Sequence, residues 1–278
     1  MNTIKTIIIA TVGAVFLLPL STRGQRPADY SACIPEMLPT NLSLSERQPV
    51  RYRMTALYRN DDIAGHFFGD TRVSGLYTRA LPGGGAQWNE VFVANVSRKD
   101  APFPEAVKQV YMENLRYNPK TVMSDSVVRK KMVSGTLFTK NLIWDMVTFE
   151  GFAWTYFDSL RLNIPFHART FNGDVSLDGA GVFSNHDVLL TWSGISVMNG
   201  RKCALIQFEA MDNPLELDIN GMKAKGRSHY WGNIWVCLDD EQIEGGWLNE
   251  DVVLDMILAG NGKTTINTVR RITLEKLK

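Results

Sequence analysis

The chain has 278 residues, 45% of them hydrophobic, and carries 30 basic against 29 acidic side chains. This near-neutral balance excludes nucleic acid as the main partner, because displacing counterions from a polyanion needs a basic surface. Three cysteines cannot all pair within one chain, and no Cys-x-x-Cys occurs, so a thiol redox motif or a zinc knuckle has no support.

The N-terminus reads as a targeting segment. Lys5 precedes an apolar run from Ile7 to Leu20, too short to span a bilayer comfortably, and Ser21, Thr22 and Gly24 offer a cleavage region. The expectation is a signal peptide over 1–24, leaving no membrane span after cleavage and a protein that is exported, periplasmic or secreted. Its removal takes Lys5 and Arg23 and no acid, so the balance becomes 28 basic to 29 acidic. Residues 25–49 are rich in Pro, Ser and Asn and read as an extended lead-in to one β-rich domain over 50–278.

Val50–Tyr58 alternates Val50, Tyr52, Met54, Ala56 and Tyr58 with polar residues, the period of a strand with one buried face. Strands over 71–81 and 87–96 flank Pro82-Gly83-Gly84-Gly85, a hairpin loop. The middle, about 104–160, reads as helical. Pro104 opens one helix, with Val107, Val110, Tyr111 and Leu115 at helical spacing until Asn118-Pro119. A second helix over 141–160 places Leu142, Met146, Phe149, Ala153 and Tyr156 on one stripe, with Trp144 and Trp154 spreading the apolar surface further round.

From residue 188 onward the pattern predicts antiparallel strands at about 188–198, 201–209, 214–219, 222–238, 242–248, 251–258 and 264–275. Asn199-Gly200, Asn220-Gly221 and Asn261-Gly262 mark tight turns between them. The predicted fold class is therefore mainly β (α+β): a large antiparallel meander curled into a half-barrel or barrel, with one or two covering helices. Gly260-Asn261-Gly262-Lys263-Thr264-Thr265 imitates the end of a phosphate loop. It lacks the required upstream glycine, Ile257 standing there, and a strand pattern follows it, so it reads as a hairpin turn.

Three tryptophans crowd the stretch 226–252. On the strand ending at Leu238, one face carries Tyr230, Gly232, Ile234 and Val236, and the other carries His229, Trp231, Asn233, Trp235 and Cys237. An even-length turn at Asp239-Asp240 would put Ile243, Gly245 and Trp247 on the first face, with Trp247 over Gly232, and Glu244, Leu248 and Glu250 on the tryptophan face. The odd alternative buries Glu244 against Val236, which is costly. On this register His229 and Glu250 stand opposite each other. Two readings of the tryptophan face stay open, a second core layer against helix 141–160 and the wall of a ligand site. The candidate ligand-binding residues are Trp231, Trp235, Trp144, Trp154, Phe149, His229, Glu244 and Glu250. No catalytic residue, metal ligand or cofactor is assigned, since no nucleophile signature or ligand spacing occurs. Cys203 and Cys237 lie in strand-like runs and form a candidate disulfide if those strands are neighbours.

The meander over Val188–Leu274 with the aromatic helix Asn141–Leu160 resembles exported lipoprotein-carrier-like and lipocalin-like β half-barrels. Gln25 after the cleavage region also resembles exported proteins of Bacteroidetes-type bacteria. The resemblance implies a non-enzymatic protein holding a lipid or other apolar small molecule. The alternatives are a structural or assembly partner of an envelope protein, with a solid core, and a hydrolase using a His229–Glu250 pair.

Overall fold

The computed structural model describes residues 34–39, 44, 48–122, 135–177, 180–219, 222–257 and 262–278. The expected signal peptide, Asn220-Gly221 and Asn261 lie outside them. Residues Pro35–Lys278 form one compact unit.

Its frame is a single antiparallel sheet of thirteen strands, curled but not closed. Strands β1 (Val50–Asp62), β2 (Phe67–Leu81) and β3 (Gly85–Val96) follow one another as hairpins. Short strands β4 (Val107–Lys108) and β5 (Leu115–Tyr117) share the outer edge of β3. Helix α1 (Leu137–Trp154) comes next, then the short strands β6 (Phe166–His167), β7 (Gly173–Ser176) and β8 (Gly181–Asn185). A second meander runs through β9 (Leu189–Met198), β10 (Arg201–Ile219), β11 (Met222–Cys237), β12 (Ile243–Ile257) and β13 (Lys263–Lys276). The two meanders join where β13 pairs with β1, Tyr58 standing opposite Arg270. The remaining edges are β7 and β6 at one end, where β8 and β9 both pair with β10, and β4 and β5 at the other.

The alternation in β1 is realised from Tyr52 onward: Tyr52, Met54, Ala56 and Tyr58 are buried, and Val50 is half-buried. The loop at Gly83-Gly84 carries positive φ at both glycines, as does the Asn199-Gly200 turn between β9 and β10. The chain after Gly262 is strand β13, in keeping with a hairpin rather than a phosphate loop.

Several boundaries differ from expectation. Residues 104–118 form no helix. Val107 and Val110 are exposed and the segment lies along β3 as β4, a 3-10 turn at Val110–Met112 and β5, so its apolar spacing reflects edge pairing and not a buried stripe. The predicted strands 201–209 and 214–219 are one strand, β10, with a bulge between Ala210 and Asn213 that lets Pro214 be accommodated. Strands 242–248 and 251–258 are likewise one strand, β12.

Helix α1 begins four residues earlier and ends six earlier than its sequence pattern suggested. Its first turn leans on Tyr111, whose hydroxyl accepts the Thr136 N–H at 3.3 Å and lies 2.6 Å from the Thr139 hydroxyl. At the other end Trp154 donates its indole N–H to the Glu241 carbonyl at 2.7 Å. Leu142, Ile143, Met146, Phe149, Phe152 and Ala153 are all buried, so the helix is covered on more than one side. Its second half presses into the sheet at Gly246, where an added Cβ would lie 2.7 Å from the Phe149 ring. Glycine is required there because the ring takes the space a side chain would fill. Replacing Gly246 with alanine should therefore cost about 1–3 kcal/mol as an overpacking defect. Urea unfolding would register this as a lower midpoint at unchanged slope.

Candidate functional site

The tryptophan-rich stretch has a different register from the one expected. Trp235 pairs with Gly245, but Val236 pairs with Ile243, so β12 uses one more residue than β11 at this point. Glu244 is the extra residue. Ile243 does face the core beside Val236, and beyond the bulge every face is inverted. Gly246, Leu248 and Glu250 stand on the core side opposite Ile234, Gly232 and Tyr230, whereas Trp247 joins the opposite face across from Asn233. The space beside Gly232 is taken by the Trp247 backbone carbonyl and the Phe208 ring, and not by the Trp247 side chain.

The burial argument against Glu244 is met by compensation. This side chain is 3% exposed and pairs with Arg201 at 2.8 Å and Lys276 at 2.6 Å. Cys237, Asp240 and Glu244 bring three ligand atoms within 4.8 Å of one another, but Arg201 also holds Asp240 at 3.0 Å. Two cations already satisfy this acidic cluster, so it is a structural ion-pair network. Cys203 and Cys237 are directly opposite on β10 and β11, which meets the condition for a bridge. The structure holds them as two free, buried thiols. Burial pushes the Cys203 thiol up to about 12, so it is uncharged and poorly nucleophilic.

The side chains brought forward by sequence reasoning separate into two groups. Trp231 and Trp235 lie on the face away from helix α1, so they form no second core layer against it. Trp231 and Trp247 instead flank a small outer groove of about 270 Å³ with Asn233 and Gln207. His229 is on that same outer face, opposite Asp251, and its Nδ1 accepts the Asp212 N–H at 2.9 Å. Glu250 is on the inner face, so the expected His229–Glu250 opposition does not exist. Phe149 is fully buried against Gly246 and Phe208, and Trp154 carries the Arg79 guanidinium 4.0 Å over its ring. Trp144 and Glu250 line one cavity.

That cavity, about 680 Å³, lies between α1, from Leu137 to Phe152, and the inner face of the sheet. Its walls include Trp144, Phe183, Leu177, Val252 and Leu254. Leu177, Leu215, Val252 and Leu254 belong to a small apolar cluster of their own, against which Trp144 and Phe183 pack. One side of the cavity is polar. Arg270 reaches from β13 and donates through Nη2 to both Asp145 oxygens, at 2.8 and 2.7 Å, and through Nη1 to Glu250. Ser228 donates to the other Glu250 oxygen at 2.5 Å. The guanidinium lies 5.0 Å above the Tyr58 ring, and Asn141 donates to the Tyr58 hydroxyl at 3.2 Å.

The electrostatics follow from two carboxylates sharing one guanidinium. Burial pushes the Asp145 carboxyl up to about 6, and Arg270 only partly offsets this while Glu250 adds repulsion. Tyr58 is pushed up to about 12, again by burial, and remains a neutral phenol.

Asp145, Glu250 and Arg270 carried no sequence motif. Glu250 was already a candidate from the sequence, though on the opposite face, and parity could also have found Arg270, which shares its face with Ile272 and Leu274. No protein-family model matches this sequence, and no curated protein matches it. Among the described residues no helix is long and apolar enough to cross a membrane.

Two outcomes are expected of the polar cluster. Arg270→Met leaves two buried carboxylates unpaired and should cost about 3–5 kcal/mol in urea unfolding. In the unaltered protein the Asp145 carboxyl carbon should titrate near 6 by NMR. Because the folded state holds this proton more tightly than the unfolded chain, the group's contribution to stability is complete below the usual carboxylate range and is lost as pH rises through about 6. Asp145→Asn should remove that decline from the stability–pH curve.

Proposed function

We propose that this is an exported, non-enzymatic binding protein that holds an apolar or amphipathic small molecule between its curled sheet and helix α1. The observation that carries this reading is the cavity of about 680 Å³, with apolar walls and a confined polar side. Small-molecule sites commonly occupy roughly 300–1,000 Å³ and combine that same apolar lining with a few orienting polar groups. Export to the periplasm or beyond is supported by the N-terminal pattern of Lys5 followed by the apolar run Ile7–Leu20. The curled antiparallel sheet with one covering helix is compatible with the likeness to lipocalin-like and lipoprotein-carrier-like half-barrels.

A structural envelope partner with a solid core has no use for a space of this size. A hydrolase working through His229 and Glu250 would need them on one face, and they occupy opposite faces of β11 and β12. The binding reading therefore has the better support.

Val252 lines the cavity from β12 and is 7% exposed. Titration with the neutral fluorophore N-phenyl-1-naphthylamine should show saturable binding at one site. Val252→Trp, which fills the space from one wall, should abolish that binding while leaving the circular dichroism spectrum unchanged. A fluorophore response that survives the substitution would place binding elsewhere.

A further inference from the structure

We infer that the ligand of this cavity is an amphiphile whose head group is a positively charged amine, seated against the carboxylates of Asp145 and Glu250. The inference rests on the binding role proposed for the cavity and deepens it by naming the head group.

The charged groups around the cavity do not balance. Asp145, Asp174 and Glu250 line the cavity, and Arg270 is the one basic residue among the described residues that does so. Within the inner cluster, two carboxylates meet one guanidinium, which leaves one negative charge in excess when both acids are ionised. Asp174, on β7, adds a third acid whose partner is the neutral Ser184 hydroxyl at 2.6 Å. A cation entering from the apolar side meets a field that favours it, and an anionic head meets two buried carboxylates.

The hydrogen bonds point the same way. Arg270 spends Nη1 and Nη2 on Glu250 and Asp145, so the guanidinium has no terminal fork left with which to clasp a carboxylate or phosphate. Glu250 receives Ser228 and Arg270, one on each oxygen, whereas Asp145 receives Arg270 alone. Both Asp145 oxygens share one Nη2 donor, so Asp145 is served by one donor group and Glu250 by two. Trp144 adds aromatic surface of the kind that attracts ammonium groups, the Tyr58 ring being already under the Arg270 guanidinium. The aliphatic part then has Leu177, Val252 and Leu254 to lie against.

Protonation modulates this preference. The groups facing Asp145 are Arg270 on β13, Glu250 on β12 and Tyr58 on β1, with Asn141 on its own helix. When Asp145 takes up a proton the inner cluster becomes neutral and its attraction for an ammonium ion is lost.

The test compares three probes of one chain length, dodecylamine, dodecanoic acid and dodecanol, by isothermal titration calorimetry on the full chain below their aggregation concentrations. At about pH 7.5 the amine is protonated and the acid ionised. Dodecylamine should bind roughly tenfold or more tightly than dodecanoate. Its affinity should fall on lowering the pH to about 5, while that of dodecanol stays level. Asp145→Asn should shrink the amine preference, and the pH series on the unaltered protein gives the same information should that variant fold poorly. Dodecanoate binding as tightly as the amine, or an amine affinity that equals that of dodecanol with no pH dependence, overturns the head-group assignment and leaves the cavity's binding role standing. Failure of all three probes to bind removes the binding role and this inference with it.

Discussion

The bond from Arg270 to Asp145 joins the long helix of the described residues to the middle of the sheet, and most of the architecture is arranged around it. Arg270 sits in the row where the two meanders meet, with Tyr58 across on β1 and Glu250 across on β12. Asp145 comes down from α1 to the same point. An unpaired charge at this depth would cost several kcal/mol, so the helix and the three strands are positioned together or not at all.

A second anchor sits one helical turn further on, where the Phe149 ring fills the gap left by Gly246. Between Gly246 and Glu250 the helix is close to the sheet. Beyond Glu250 toward Val252 and Leu254 the helix and sheet are separated by open volume, and side chains from β7 and β8 form part of its wall. The cavity is therefore a consequence of where the two anchors lie. Its polar side is the row that fastens the helix, and its apolar side is the cluster of Leu177, Val252 and Leu254, against which Trp144 of the helix packs. A single set of side chains thus serves stability and, in the proposed role, ligand recognition. Binding proteins that use a structural ion pair in this way gain rigidity at the recognition point, which lowers the entropy lost on association.

Much of the fold was legible because the physics behind it is local. Alternation in β1, the paired glycines at Gly83-Gly84 and the Asn199-Gly200 turn each fix a short segment by its own chemistry. What was illegible depended on a partner strand. Nothing within 242–248 announces that Glu244 is an extra residue, because a bulge is a property of the pair β11–β12. That single residue moved Trp247 to the outer face and brought Glu250 inward, which reversed the reading of the whole stretch. Burial of Glu244 is costly on its own, and the Arg201 and Lys276 that offset it are distant in sequence. Asp145 was hidden for a simpler reason. On a helix covered on several sides, apolar periodicity does not single out the one acid that faces a cation.

The central claim is that Arg270 and Asp145 are coupled and that this coupling fastens the helix above the cavity. A double-mutant cycle on Asp145→Asn and Arg270→Met, read by urea unfolding at neutral pH, measures it directly. The account predicts a coupling of about 2–3 kcal/mol, at the upper end for residues in direct contact within one network. A coupling below about 0.5 kcal/mol, the level of independent sites, would contradict it.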